Sequence, residues 1–458
     1  MLNNSIEVSS FRDPSGFLFY RDQKIFRQIN LRYKDEYEYL MSSGLYKKLI
    51  SENLLIPHKE VDVESILPEQ LFKIIEPKII PFISYPYEWS FTQLKLAALT
   101  TLKIQKIALE YGMTLKDAST YNIQFLDSQP IFIDTLSFEK YHEGQVWKPY
   151  KQFCQHFLGP LALMSYTDIR LNQLFRIYID GLPVDLTSKL LPFRTHFMFS
   201  LLFHIHLHAK SQKHYENKQN VNKKIKISKR SLIGIISSLT SSVEKIKWNL
   251  KDTEWSDYYS ETNYSDKSFI TKKTIISKMI DEINPNTVWD LGANTGFFSR
   301  ISSNKKIFTV AFDIDPTAVE KNFLESNSSK EKNLLPLLLD LTNPSSNIGW
   351  ANEERRSFVD RGPADLILAL ALIHHLIISN NIPLKKLSEF FKNNCNTLII
   401  EFIPKSDSQV QRLLLTREDI FDEYSKENFE SIFQKHFKIK KSVPIINSER
   451  ILYLMERN

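Results

Sequence analysis

From residue 287 onward the chain alternates between two hydrophobic patterns. TVWDL, LLPLLLDL, ADLILALAL and NTLIIEFI are short runs with almost no polar interruption. Such runs predict strands buried on both faces, as in a parallel sheet. Between them, PTAVEKNFLES and PLKKLSEFFKNN space their apolar residues three and four apart, which predicts helices. Pro316 suits the first turn of the former. FKIKKSVPI and RILYLMER close the chain as two further strands joined by INSE. So short a connection allows only an antiparallel pair. Residues 251–458 therefore read as an α/β domain with helices on both faces of a mostly parallel sheet.

The first part of the chain has another texture. Residues 1–213 are rich in aromatics and leucine, and from Trp147 onward they read as successive amphipathic helices. This predicts an N-terminal α+β domain, largely helical. The stretch LPFRTHFMFSLLFHIHLHAK, 191–210, carries Arg194 and four histidines, too polar for a membrane span, and reads as a buried helix. Within its HIHLH only His204 and His208 share a helix face and no third ligand is in view, so a core or interface role is preferred and no metal site is expected. Residues 214–250 read as a basic linker. KQNVNKKIKISKR, 218–230, holds six Lys or Arg and no acid, and a solvated hinge is preferred over a docking site for an anionic partner.

At 458 residues the chain exceeds one ordinary domain, in keeping with this division. A net charge of +6 is small for that length and gives no concentrated basic face, so nucleic acid is not expected as a partner. Cys154 and Cys395 stand far apart without metal-ligand spacing. That disfavours a disulfide framework and suits a reducing cytoplasm. The N-terminus lacks the basic and apolar segments of a signal peptide.

Chemistry enters at NTVWDLGANTGFFSRI, 286–301. The chain has only 11 glycines, yet Gly292 and Gly296 fall four apart in one loop between a strand ending in Asp290 and a helix. In open α/β sheets ligands sit at the carboxyl ends of strands, and glycine lets the backbone approach them. A nicotinamide cofactor favours G-x-G-x-x-G, whereas here Asn294 stands at the middle position. An acid at Asp290 opposes a pyrophosphate but suits a ligand carrying an ammonium group. VAFDIDP places Asp313, with Asp315 as second choice, at the end of the next strand, and LLLDL places Asp340 at the end of a third.

VWDLGANTGFFS resembles motif I of class I S-adenosylmethionine-dependent methyltransferases. The resemblance implies a seven-stranded sheet of order 3-2-1-4-5-7-6, and S-adenosylmethionine held by Asp290, Gly292, Asn294, Gly296, Asp313 and Asp340. It gives Asp313 the ribose hydroxyls and Asp340 the adenine amino group. DLILALALIHHL resembles the segment facing the methyl acceptor. His374 and His375 follow that strand as candidate general bases, and Glu401 is a further candidate for the acceptor pocket. ALALIHHLIISNNIPL, LIIEFIPKSDSQVQRLL, TREDIFDEYSKENFESIF and SERILYLMER, with FIDTLSFE near the N-terminus, resemble the NoeA-like group of bacterial methyltransferases. That resemblance implies methyl transfer and gives little about the acceptor; a glycan, lipid-linked saccharide or small metabolite would suit, and no residue selects among them.

MTLKDASTYNIQFLDSQPIFIDTLSF, 113–138, resembles the catalytic segment of kinase-like folds: Asp117 and Asn122 five apart, then a hairpin with its turn at DSQP, then Asp134. The resemblance implies a nucleotide and magnesium site. The departures are that Leu115-Lys116 precede Asp117, Thr135-Leu136 follow Asp134, and no glycine-rich loop lies upstream. A degenerate, substrate- or partner-binding domain is the expectation. A bifunctional kinase-methyltransferase and a non-catalytic scaffold retaining the cofactor fold are the alternatives.

Overall fold

The computed structural model describes residues 5–211, 226–250, 266–415 and 417–458. The chain divides into two compact units. The first holds residues 1–249 together with 347–355, and the second holds 250–346 and 356–458. The expected division at residue 251 thus misses one feature: nine residues from inside the C-terminal half group with the first unit.

In the first unit, β1 (Ser5–Ile6), β2 (Gly16–Arg21), β3 (Lys24–Asn30), β4 (His58–Val61) and β5 (Leu71–Pro77) form an antiparallel sheet of order β1-β2-β3-β5-β4. Helices α1 (Lys34–Ser42) and α2 (Leu45–Ser51) follow β3. The long helix α3 (Phe91–Glu110) starts at Ser90, which accepts from the Gln93 amide while the Gln93 side chain returns to the Ser90 amide. That reciprocal cap satisfies two otherwise unpaired amides. Strands β6 (Met113–Leu115) and β9 (Phe138–Lys140) pair, and β7 (Ile123–Leu126) and β8 (Gln129–Phe132) make the hairpin expected at DSQP. Asp127 and Ser128 both have positive φ there, as a two-residue hairpin turn requires.

Two sequence readings need correction. Within the supposed linker 214–250, Lys229–Lys245 is a helix, α4. It buries Leu232, Ile236, Leu239 and Val243, spaced four, three and four apart, and packs against α3. Its apolar stripe was masked by the basic residues preceding it, of which 218–225 lie outside the described residues. The 191–210 stretch is not one buried helix. Phe193–Phe197 forms a tight turn of helix, and a second segment begins at Phe199. Several of its phenylalanines are exposed.

The second unit is built on a seven-stranded sheet. Its strands are β10 (Thr287–Leu291), β11 (Phe308–Asp313), β12 (Leu334–Leu338), β13 (Ala364–Ala369), β14 (Cys395–Phe402), β15 (Phe437–Pro444) and β16 (Ile451–Arg457). Their order is β12-β11-β10-β13-β14-β16-β15, which is 3-2-1-4-5-7-6 within the unit. The first five are parallel, and β16 runs antiparallel to both β14 and β15. The unit's helices include α5 (Asp266–Ile283), α6 (Ser299–Ser303), α7 (Pro316–Ser328), α8 (Leu384–Asn394) and α9 (Lys426–Phe433). Ile276, Met279 and Ile280 of α5 pack on Val288, Leu366, Leu368, Ile399 and Leu454 from four strands. This core fixes the strand ends that carry the site.

No described helix is long and apolar enough to cross a membrane. Cys154 and Cys395 are buried and free.

Candidate functional site

The parallel register brings the carboxyl ends of β10, β11 and β12 to one edge of the second unit's sheet. A cavity of about 300 Å³ opens there, the lower end of the range for small-molecule sites. Asp290, Gly292, Asn294, Asp313, Asp340 and His375 all line it. Gly296 does not line it; it shapes the loop.

That loop explains its two glycines. Gly292 has φ +77° and Gly296 φ +80°, in the left-handed region. A Cβ on Gly296 would fall 2.5 Å from the Asn322 side chain. Asn294 also has positive φ, at +52°, a conformation asparagine tolerates better than most residues. The amides of Gly292 and Ala293 both donate to the Phe312 carbonyl at 2.9 Å, tying the loop to the end of β11.

The acids differ in setting. Asp290 is buried and accepts from Ser299 Oγ at 2.6 Å. Burial pushes its carboxyl up to about 7. Asp313 accepts from the amides of Asn294, at 2.7 Å, and Asp315, at 2.9 Å, yet burial still raises it to about 6. Asp340 accepts from the amide and hydroxyl of Thr342, a local turn that holds its carboxylate at the rim. Asp315, the second choice at the β11 end, is the cap of α7 and accepts from the Thr317 amide.

The two histidines separate. His375 lines the cavity, and burial with the nearby Arg450 holds its imidazole down to about 4. His374 is fully buried and does not line the cavity, because successive residues of a helical turn point in different directions. Burial depresses it further, so the expectation that either histidine could face an acceptor reduces to His375.

Sequence reasoning missed Lys272. This residue of α5 lines the cavity while almost wholly buried. Its ammonium is 2.7 Å from Glu401 Oε2 and lies over the Phe298 ring at 4.6 Å. Burial lowers its pKa against the pull of Glu401. Glu401 Oε2 also accepts from the Ala371 amide at 2.8 Å, fixing the segment that leads to His375. The available signal was a lysine on the apolar stripe of α5, in line with Phe269, Ile276, Met279 and Ile283. Lysine on a buried stripe requires a partner.

The first unit has its own cavity, of about 640 Å³, and it brings together Asp117, Asn122 and Asp134. Burial and the neighbouring Asp134 raise Asp117. Burial works against Asp134 as well, but Arg27 and hydrogen bonds keep it below its ordinary value. One Asp134 oxygen pairs with Arg27 and receives the Leu136 amide, and the other receives Ser137 Oγ. Arg27 thus already supplies a cation at Asp134. Among the described residues no group of three or more His, Cys, Asp or Glu stands in a metal-holding arrangement.

Sheet order, loop and strand-end acids make the second unit class I methyltransferase-like. No family model matches the chain. It is 35% identical over 459 residues to nodulation protein NoeA of Rhizobium meliloti (strain 1021), covering 98% of this chain and 96% of that one. The chain therefore belongs to the NoeA family. Among solved structures, WbdD co-crystallised with the kinase inhibitor LY294002 is 16% identical, with a TM-score of 0.31 over 44% of this chain and 43% of that one. The N-methyltransferase NodS from Bradyrhizobium japonicum WM9 is 9% identical, with a TM-score of 0.30 over 42% of this chain and 98% of that one. A S-adenosylmethionine-dependent methyltransferase from Clostridium acetobutylicum ATCC 824 is 16% identical, with a TM-score of 0.31 over 44% of this chain and 96% of that one.

Proposed function

We propose that the second unit transfers a methyl group from S-adenosylmethionine to a small-molecule or saccharide acceptor. The observation that carries this reading is the gathering of Asp290, Asp313 and Asp340, from the ends of three adjacent parallel strands, around one cavity beside a left-handed glycine loop. Helix caps would explain single acids but not three acids sharing a cavity with that loop.

The residues present fit the cofactor. Asp313 and Asp340 would accept from its ribose hydroxyls and adenine amino group, and Asp290 would offset its ammonium. Phe312 and Leu372 supply apolar walls. Bound there, the cofactor supplies an electrophilic methyl on a sulfonium, so the protein's main task is alignment and exclusion of water. Alignment of this kind is worth about 7–11 kcal/mol in well-oriented systems. Glu401 holds Ala371, and through it the turn carrying His375, against the sheet. His375 lines the cavity as the candidate general base; burial holds its imidazole down to about 4, which leaves it unprotonated near neutral pH and also makes it a weak base.

The test is turnover. Wild-type protein incubated with S-adenosylmethionine and fractionated saccharide and small-metabolite extracts should form S-adenosylhomocysteine with at least one fraction. Asp313→Ala should not. Equal turnover by the variant would refute the site, and a complete lack of turnover with intact cofactor binding would favour the non-catalytic scaffold.

A further inference from the structure

The first unit presents an apolar face that the methyl-transfer reading does not use. Phe193, Phe197 and Phe199 are 74%, 79% and 74% exposed, and Phe203 is 47% exposed. Phe193 and Phe197 meet edge to face at 5.5 Å, and Phe199 meets Phe203 at 4.5 Å. His196 stacks on His206 at 3.7 Å, tying the turn that carries the first pair to the helix that carries the second. Along that helix Phe199, Phe203, Leu207 and Lys210 fall four, four and three residues apart and face solvent, while Leu201, His204 and Ile205 face inward. The buried histidines are structural: His204 bonds Tyr150 and Ser238, and His206 bonds Ser188 and Thr195. A folded helix that buries one side and still shows phenylalanines on the other is an interaction surface.

Charge selects the occupant. Among the described residues between Lys189 and Arg230 there are six lysines and arginines and no acid, and only Lys189 of the six is paired with a neighbouring acid, Asp185. Arg194 and Lys210 are exposed beside the phenylalanines. A twofold contact with a second copy would set this basic face against itself. A bilayer bearing anionic headgroups offers what the face lacks, an apolar layer for the rings beneath a negative surface for the cations. We propose that this face seats the protein on an anionic lipid surface, with the four phenylalanines entering the headgroup boundary.

The proposal is independent of methyl transfer and is tested without it. Full-length protein is sedimented with vesicles of phosphatidylcholine alone and of phosphatidylcholine mixed equally with phosphatidylglycerol. The wild type should pellet with the mixed vesicles and not with the neutral ones. Phe193→Ser/Phe197→Ser/Phe199→Ser should weaken that binding by about tenfold or more with its melting transition unchanged, since all three rings are already in water. Arg194→Gln/Lys210→Gln should weaken it and reduce its sensitivity to salt. Binding by the phenylalanine variant equal to wild type, or no wild-type binding to mixed vesicles, would overturn the proposal. So would a wild-type dimer that ignores vesicles and is dissolved by the phenylalanine substitutions, which would assign the face to a second copy.

Discussion

Gly296 shows how one residue constrains the candidate site. Its φ of +80° excludes an easy replacement, and the Asn322 side chain that a Cβ would strike is itself held by Arg300, 3.0 Å from Asn322 Oδ1. Gly296→Ala should therefore lose about 1–3 kcal/mol of stability in urea unfolding, the usual cost of a strained backbone position. Asp290 makes a pH prediction. Burial holds its carboxyl near 7 and that of Asp313 near 6, so the folded protein keeps protons that the unfolded chain has released. The contribution of these two carboxyls should fall as pH rises from about 4 to 7, because at these groups the unfolded state binds fewer protons there. Buried His375 contributes with the opposite sign, so the fall is read as the difference in urea stability between wild type and Asp290→Asn/Asp313→Asn. A cationic ligand reverses the preference at Asp290, so S-adenosylmethionine should bind more tightly as pH rises from 5.5 to 7.5. Asp290→Asn should flatten that rise. Titration calorimetry at several pH values reads both. The residues of this loop were legible because glycine is scarce in the chain and strand-end acids are regularly placed. The separation of His374 from His375 was not legible, since adjacent positions in a helical turn look alike until the turn is oriented.

Among the elements, α5 and α4 carry the two lessons. Strands and helices from 287 onward were readable because buried parallel strands are continuously apolar, and the turn-rich link required the antiparallel close. Lys272 on α5 escaped notice because its partner, Glu401, lies 129 residues away and no local pattern joins them. Glu401→Gln should leave a buried ammonium without its counter-charge. The expected loss is about 3–5 kcal/mol by denaturant unfolding, larger than most surface changes. In α4 the basic approach 218–230 hid an amphipathic helix. Leu239 is fully buried in it, so Leu239→Ala should cost about 2–5 kcal/mol; a hinge would tolerate the change. The 347–355 segment could not be assigned from sequence either. Arg355 lies over the Tyr121 ring at 4.0 Å, and Glu354 forms a two-pronged pair with Arg12, 342 residues away in sequence.

At the scale of the whole molecule, each unit has a cavity with acids converging on it, but their settings differ. In the second unit burial keeps the Asp290 and Asp313 carboxyls raised although the Lys272 ammonium, paired to Glu401, also acts on Asp290, and a positively charged ligand would complete the site. In the first, Asp134 already has Arg27. This contrast is why the central claim rests on the second unit. Its most direct test is a thermal titration of the full-length protein with S-adenosylmethionine, alongside Asp313→Ala. At about 100 times its Kd the cofactor should stabilise the wild type by roughly 2.7 kcal/mol. The account predicts that shift in the wild type and none in a folded Asp313→Ala. A folded wild type with no shift, or a variant that shifts equally, would contradict it.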